Sequence, residues 1–275
     1  MTFTTFIGGG NMACALVGGM QARGQPLDGI RIVEPLLAQR EKLVARFPDV
    51  ALHSECDAAA LAGTDLVVFA VKPQQMKGAA TAVAPHLAAN VVVLSIAAGI
   101  RITDLARWLG GHRRLVRAMP NTPALIGKGI SGIHAAEGVD AAGRGRCAAV
   151  LEAAGDVVWV AEESMLDAVT GVSGSGPAYV FYFLEALQAA ARELGFSADD
   201  ARRLAYATFD GAIALAKAST DDPATLRAQV TSKGGTTERA IAVMEAAAVN
   251  ATIMAAVKAA ASRARELGDD FGKDR

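Results

Sequence analysis

The feature that most limits what this chain can become lies at its start. A short strand-like segment, Phe3 to Ile7, runs straight into Gly8-Gly9-Gly10-Asn11-Met12-Ala13, and Cys14 to Met20 can continue as a helix. A G-x-G-x-x-A pattern between a strand and a helix gives each small residue a task. Gly8 permits the tight turn, Gly10 lets a pyrophosphate approach the backbone, and Ala13 allows the helix to pack closely on the sheet. The competing reading is a glycine turn that serves no ligand.

Further apolar segments repeat the grammar. Ile30–Val33 reads as a strand ending on Glu34, where an acid accepts hydrogen bonds from the adenosine ribose of NAD and repels a 2′-phosphate. A solvated charge at a strand end is the other reading of Glu34. Leu66–Val71 ends in Ala70-Val71-Lys72-Pro73, and Val91–Ile96 runs into Ala97-Ala98-Gly99. Unbroken apolar strands alternating with helical stretches such as Gln74–Leu87 predict an α/β fold, a Rossmann-type doubly wound parallel sheet covered on both faces. Ligands of such sheets sit beyond the carboxyl ends of the strands. Leu115–Met119 leads into Pro120-Asn121-Thr122-Pro123, where Asn121 can donate to and accept from a nicotinamide carboxamide, or simply brace a rigid loop. Ile130–His134 and Val157–Val160 would complete the sheet near residue 161, and Arg113, Arg114 and Arg117 read as a solvated face. The expected dinucleotide contacts are thus Ile7, Gly8, Gly9, Gly10, Asn11, Met12 and Ala13, then Glu34, Ala70, Val71, Lys72 and Pro73, then Ala97, Ala98, Gly99 and Asn121.

Composition narrows the class. With 27 basic and 28 acidic residues among 275, nothing points to nucleic acid or a membrane surface. Met1 to Ile7 lacks the charged region and long apolar run of a signal peptide, and no apolar stretch reaches the roughly 18 residues of a membrane span. Cys14, Cys56 and Cys147 have no metal-like spacing and read as reduced thiols of a cytoplasmic protein. His53, His86, His112 and His134 are scattered, so a catalytic metal is not expected.

From Glu162 onward the pattern is nearly continuous helix, which divides the chain into a dinucleotide-binding domain, 1–161, and a helical domain, 162–275. Val169–Ala178 interrupts it sharply, with Pro177 suited to the first turn of the next helix and Gly176 or Ser175 near its cap. Gly171 to Ser175 resembles a nucleophile elbow only superficially, because its setting is helical, and a serine hydrolase is rejected. The helices expected beyond it are Tyr179–Leu194, Ala198–Ala218, Asp222–Val230, Arg239–Ala248 and Ala251–Leu267. Their stripes are too apolar for so small a domain to bury alone, so a homodimer with packed C-terminal helices is expected. Val230 to Glu238 sets two glycines among four hydroxyl residues just before a helix. Such a loop either caps the helix or offers its orphan N–H groups to an anion.

These segments together resemble the pyrroline-5-carboxylate reductase family over essentially the whole chain. The most specific part is Val230–Glu238, followed by Asp167–Tyr179, Met119–Pro123 and Ala70–Pro73, in the family's order and spacing. The resemblance implies reduction of the C=N bond of 1-pyrroline-5-carboxylate to L-proline by NADPH or NADH. It also implies a Rossmann domain followed by a helical dimerisation domain, with dimers often assembling into a decamer. By position, Ser232, Gly235, Thr236 and Thr237 would hold the substrate carboxylate, and Thr237 would set its hydroxyl against the ring nitrogen.

The chain departs from NADPH-favouring relatives where the adenosine ribose binds: Glu34 stands where they can carry a small hydroxyl residue, and Asp57, a further expected cofactor contact, lies near an amide position. Two carboxylates there oppose a 2′-phosphate, unless Arg31 or Arg40 folds back to offset them. The resemblance therefore favours NADPH and the local charge favours NADH. The 3-hydroxyacid dehydrogenases share this layout but need a lysine acid that does not follow Gly171–Gly176 here. A reductase of other cyclic imines is a further alternative.

Overall fold

The computed structural model describes residues 3–273, so Met1 and Thr2, part of the N-terminal reading, and the final two positions of the expected second domain lie outside the described residues. The chain divides into two compact units: one runs to Ser175 and resumes at Lys258, the other is Gly176–Val257.

The first unit is built on an eight-stranded sheet: β1 (Phe3–Ile7), β2 (Ile30–Val33), β3 (Ala51–His53), β4 (Thr64–Phe69), β5 (Val92–Ser95), β6 (Leu115–Met119), β7 (Gly129–Ala135) and β8 (Gly155–Trp159). Their order is β3-β2-β1-β4-β5-β6-β7-β8. The reversal of direction in that order falls between β1 and β4, the place where open α/β sheets bind ligands. The helices of this unit are α1 (Asn11–Ala22), α2 (Leu37–Arg46), α3 (Ala58–Leu61), α4 (Met76–Val83), α5 (Ile102–Trp108), α6 (Ala141–Glu152) and α7 (Met165–Val169). Side chains alternate across the sheet, so the apolar runs feed two cores. Phe6, Leu66, Val68 and Leu94 belong to one, and Ile7, Val67, Phe69 and Val93 to the other. That is why these strands read as unbroken apolar runs rather than alternating ones.

Three expectations are corrected. The sheet is not wholly parallel, because β7 runs antiparallel to β6 before β8 returns parallel to β7. Arg117 is no part of a solvated face: it is buried and bonds Glu163 at 3.0 Å and Asp167 at 3.4 Å, tying β6 to the segment around α7. The same Glu163 oxygen accepts the Ile102 N–H at 2.8 Å. Val169–Ala178 does not break the helical backbone, although Pro177 falls in the first turn of the next helix as expected. After α7 the backbone widens into a π-helical turn, Thr170–Gly174, closed by a Ser175 N–H to Thr170 C=O bond of 2.8 Å, before helix α8 (Gly176–Glu193). Pro177 cannot donate to the Ser173 carbonyl, and a wider turn relieves the crowding a proline imposes on a tight one.

The second unit holds α8, α9 (Ala198–Ala218), α10 (Pro223–Gln229), α11 (Thr236–Ala246) and the first part of α12 (Val249–Gly272). Ser197 and Asp222 cap α9 and α10 with their side chains. Among the described residues of this unit only Ala201 and Ala205 are buried, while Phe181, Tyr182, Ile213, Leu215 and Val243 are largely exposed. No single helix among the described residues is long and apolar enough to cross a membrane.

Candidate active site

The glycine loop turns where β1 lies between β2 and β4. Gly8 has φ +97, and a Cβ there would stand 2.9 Å from both the Ala70 carbonyl oxygen and Val71 Cγ1, so backbone and neighbours both require glycine. Gly10 is different. Its backbone is ordinary (φ −74, ψ −170), and a Cβ would meet nothing within 4 Å. Nothing in this chain demands a glycine there, and the space beside it is open. Gly10 is the N-cap of α1 and supplies no capping side chain, so the N–H groups of Asn11, Met12 and Ala13 open toward the cleft end of the helix before Cys14 N–H bonds Gly10 C=O. Those orphan donors and the helix dipole suit a pyrophosphate.

A cleft of about 560 Å³ opens beside this loop. Ile7, Gly8, Gly10, Glu34, Ala70, Val71 and Lys72 line it, together with Pro35, Leu36, Ser54, Glu55, Cys56 and Gln75, which sequence reasoning missed. Ser54 to Cys56 follow β3, a strand too short to announce itself; any residue beyond a strand beside β2 would have been the signal. Glu34 is buried, its two oxygens accepting the N–H groups of Gly9 (3.0 Å) and Leu36 (3.0 Å). Asp57 stands outside the lining, exposed, with its carboxylate accepting the Ala60 N–H at 2.8 Å to cap α3. That backbone donor is the main reason its acidity is raised above that of a free aspartate. Burial, with the Asp57 charge adding to it, pushes the Cys56 thiol up to about 11.

Gly9, Asn11, Met12, Ala13, Pro73, Ala97, Ala98, Gly99 and Asn121 do not line this cleft. Ala13 is buried beneath α1, Pro73 opens a short turn before α4, and Gly99 lies against Phe271. Asn121 is almost fully buried and bridges two backbones: its Nδ2 donates to Ser173 C=O at 3.1 Å, and its Oδ1 accepts the Ile130 N–H at 2.9 Å. The carbonyl that Pro177 leaves without a helical donor is thus satisfied by Asn121. Among the described residues no group of three or more His, Cys, Asp or Glu side chains is placed to hold a metal ion.

In the second unit, the segment from Thr231 to Gly235 forms a tight loop ahead of α11. Gly234 has φ +72, and its N–H donates to Glu238 Oε2 at 2.7 Å; Gly235 N–H closes on Ser232 C=O at 3.0 Å. Helix α11 begins at Thr236, three residues earlier than the sequence suggested, because Gly235 serves as N-cap without a side chain. The N–H groups of Thr236, Thr237 and Glu238 therefore form the open first turn, and the hydroxyls of Ser232, Thr236 and Thr237 make no hydrogen bond to described residues. Several donors converge with a helix dipole behind them, which suits a carboxylate.

Residues 163–267 match the family model "Pyrroline-5-carboxylate reductase dimerisation", and residues 4–99 match "NADP oxidoreductase coenzyme F420-dependent". The chain is 44% identical to the pyrroline-5-carboxylate reductase of Pseudomonas aeruginosa over 98% of its own length and 97% of that protein. Among solved structures, a pyrroline-5-carboxylate reductase from Coxiella burnetii superposes with a TM-score of 0.91 at 37% identity, covering 97% of this chain and 98% of that one. The Plasmodium falciparum pyrroline carboxylate reductase, solved with NADP bound, gives 0.85 at 26% identity, with 97% and 98% covered.

Proposed function

The chain belongs to the pyrroline-5-carboxylate reductase family, and on that premise we propose how its residues divide the work of reducing 1-pyrroline-5-carboxylate to L-proline. It is an NAD(P)H-dependent oxidoreductase acting on a C=N bond. Bound in the cleft, the reduced dinucleotide supplies a hydride; the rest falls to the chain. The open first turn of α1 holds the pyrophosphate, with Gly10 leaving room for it, and this clearance is the observation that carries the cofactor assignment. Glu34 faces the adenosine ribose and Ala70 to Lys72 flank the dinucleotide in the cleft; Pro73, Ala97 to Gly99 and Asn121 are assigned to it by the family resemblance alone, Asn121 keeping one Nδ2 hydrogen for a carboxamide oxygen. We assign dinucleotide binding to residues 1–161 and substrate binding with oligomerisation to 162–275, a division supported by the two family matches.

On the substrate side, Ser232, Gly235, Thr236 and Thr237 hold the carboxylate through the open first turn of α11 and the unpartnered hydroxyls, and Thr237 sets its hydroxyl against the ring nitrogen. A cyclic imine accepts hydride well once protonated, and solvent supplies that proton near neutral pH, so no buried acid is required. The protein's contribution is mainly to position donor and acceptor carbons, worth up to roughly 7–11 kcal/mol. The test is 1-pyrroline-5-carboxylate-dependent oxidation of NAD(P)H by purified protein, with L-proline identified as product. Absence of turnover with either nucleotide would overturn the reading.

The second unit has only two small buried residues and a broad exposed apolar surface, which supports a homodimer in which helices of two copies bury one another. Five such dimers joined into a decamer is the larger assembly we propose, following the family resemblance. The cytoplasm is the proposed setting, supported by three cysteines that are all free thiols.

A further inference from the structure

We propose that Glu34 makes this chain selective for the 2′-hydroxyl nucleotide, NADH, over NADPH, an inference that rests on the dinucleotide assignment above and specifies it. The carboxylate has no freedom to swing aside. One oxygen is held by Gly9 N–H in the glycine loop and the other by Leu36 N–H at the start of the next helix, each at 3.0 Å, and the residue is buried at the cleft wall. A charge fixed in this way stays at the ribose end whatever nucleotide arrives.

Among the described residues lining the cleft, no cation stands at the β2 end beside it. The charged residues lining the cleft are Glu34, Glu55 and Lys72, and Lys72 follows β4, with β1 between it and the β2 end that carries Glu34. The two arginines that could neutralise a 2′-phosphate are both tied to backbone carbonyls, Arg40 to that of Glu34 itself. Arg31 stacks over the Phe3 ring at 4.2 Å and donates to the Ala62 carbonyl. Arg40 directs Nη1 to the carbonyl oxygens of Glu34 and Pro35, each at 2.7 Å. Neither lines the cleft. A 2′-phosphate would bring up to two negative charges against Glu34 and Glu55, a like-charge contact, whereas a free 2′-hydroxyl can donate to the Glu34 carboxylate.

The experiment is a calorimetric titration of the whole protein with ADP and, separately, with 2′,5′-ADP, alongside kcat/KM for NADH and NADPH. ADP should bind about tenfold or more tightly than 2′,5′-ADP, and kcat/KM should favour NADH by a similar factor. In Glu34→Gln, which removes the charge while keeping one acceptor oxygen, the discrimination should collapse toward unity. Equal or tighter binding of 2′,5′-ADP by the unaltered protein would overturn the proposal, even if the variant fails to fold. Because the titration needs no turnover, its outcome is separate from whether 1-pyrroline-5-carboxylate is the substrate.

Discussion

Thr237 is the second residue of α11, half-buried, with a hydroxyl that no described residue engages. Valine keeps its shape and β-branching and removes only that hydroxyl. Thr237→Val should therefore fold normally and lose about 10²–10⁴-fold in turnover, the range for a positioned proton-handling group; an unchanged rate would remove Thr237 from the mechanism. Cys56 gives a pH-dependent prediction. With its thiol pushed up to about 11, the reactive thiolate is scarce at neutral pH, and alkylation by iodoacetamide should quicken about tenfold per pH unit between pH 7 and 10. Peptide mass analysis of the labelled protein checks this, and fast labelling of Cys56 at pH 7 would contradict it. The residues differ in how far they could be read from the sequence. Gly8, Gly10 and Ala13 were legible because a G-x-G-x-x-A pattern between a strand and a helix is local in sequence. Arg117 was not, because its burial depends on Glu163 and Asp167, which only the folded chain brings beside β6. Replacing Arg117 with alanine leaves a buried Asp167 without its cation and should cost about 3–5 kcal/mol, read from denaturant unfolding.

Elements with a strong period were visible before the structure: the apolar strands β1, β2, β4, β5 and β6, and the long helices α8, α9 and α12. Short β3 was not, and with it went the cleft residues Ser54, Glu55 and Cys56. Strand direction is also absent from local patterning, which is why β7, expected as a strand, showed its antiparallel direction only in the fold. The π-helical turn was mistaken for a break because glycines and a proline usually end helices. Here the backbone stays helical, and Asn121 supplies the hydrogen bond that Pro177 withholds. Asn121→Ala would strand the Ser173 carbonyl and the Ile130 N–H in a buried setting. It should lower stability by about 1–3 kcal/mol, seen as a shifted denaturation midpoint with an unchanged m-value; a midpoint equal to the unaltered protein's would show that the bridge contributes nothing.

At the scale of the whole molecule, the first unit has two extensive cores and the second has almost none, so the second gains its stability from association. Sedimentation should find a dimer or a multiple of it, and Phe181→Glu combined with Ile213→Glu should release monomers with reduced helicity. A stable, fully helical monomer would contradict that account. The central claim is that a dinucleotide is held at the start of α1 and the substrate carboxylate at the start of α11. Hydrogen–deuterium exchange of the unaltered protein tests it most directly, since the first-turn amides of both helices lack intrahelical partners and exchange readily when free. A reduced dinucleotide should slow exchange at Asn11 to Ala13, and L-proline added with it should slow exchange at Thr236 to Glu238. Protection by L-proline elsewhere, with Thr236 to Glu238 unchanged, would contradict it.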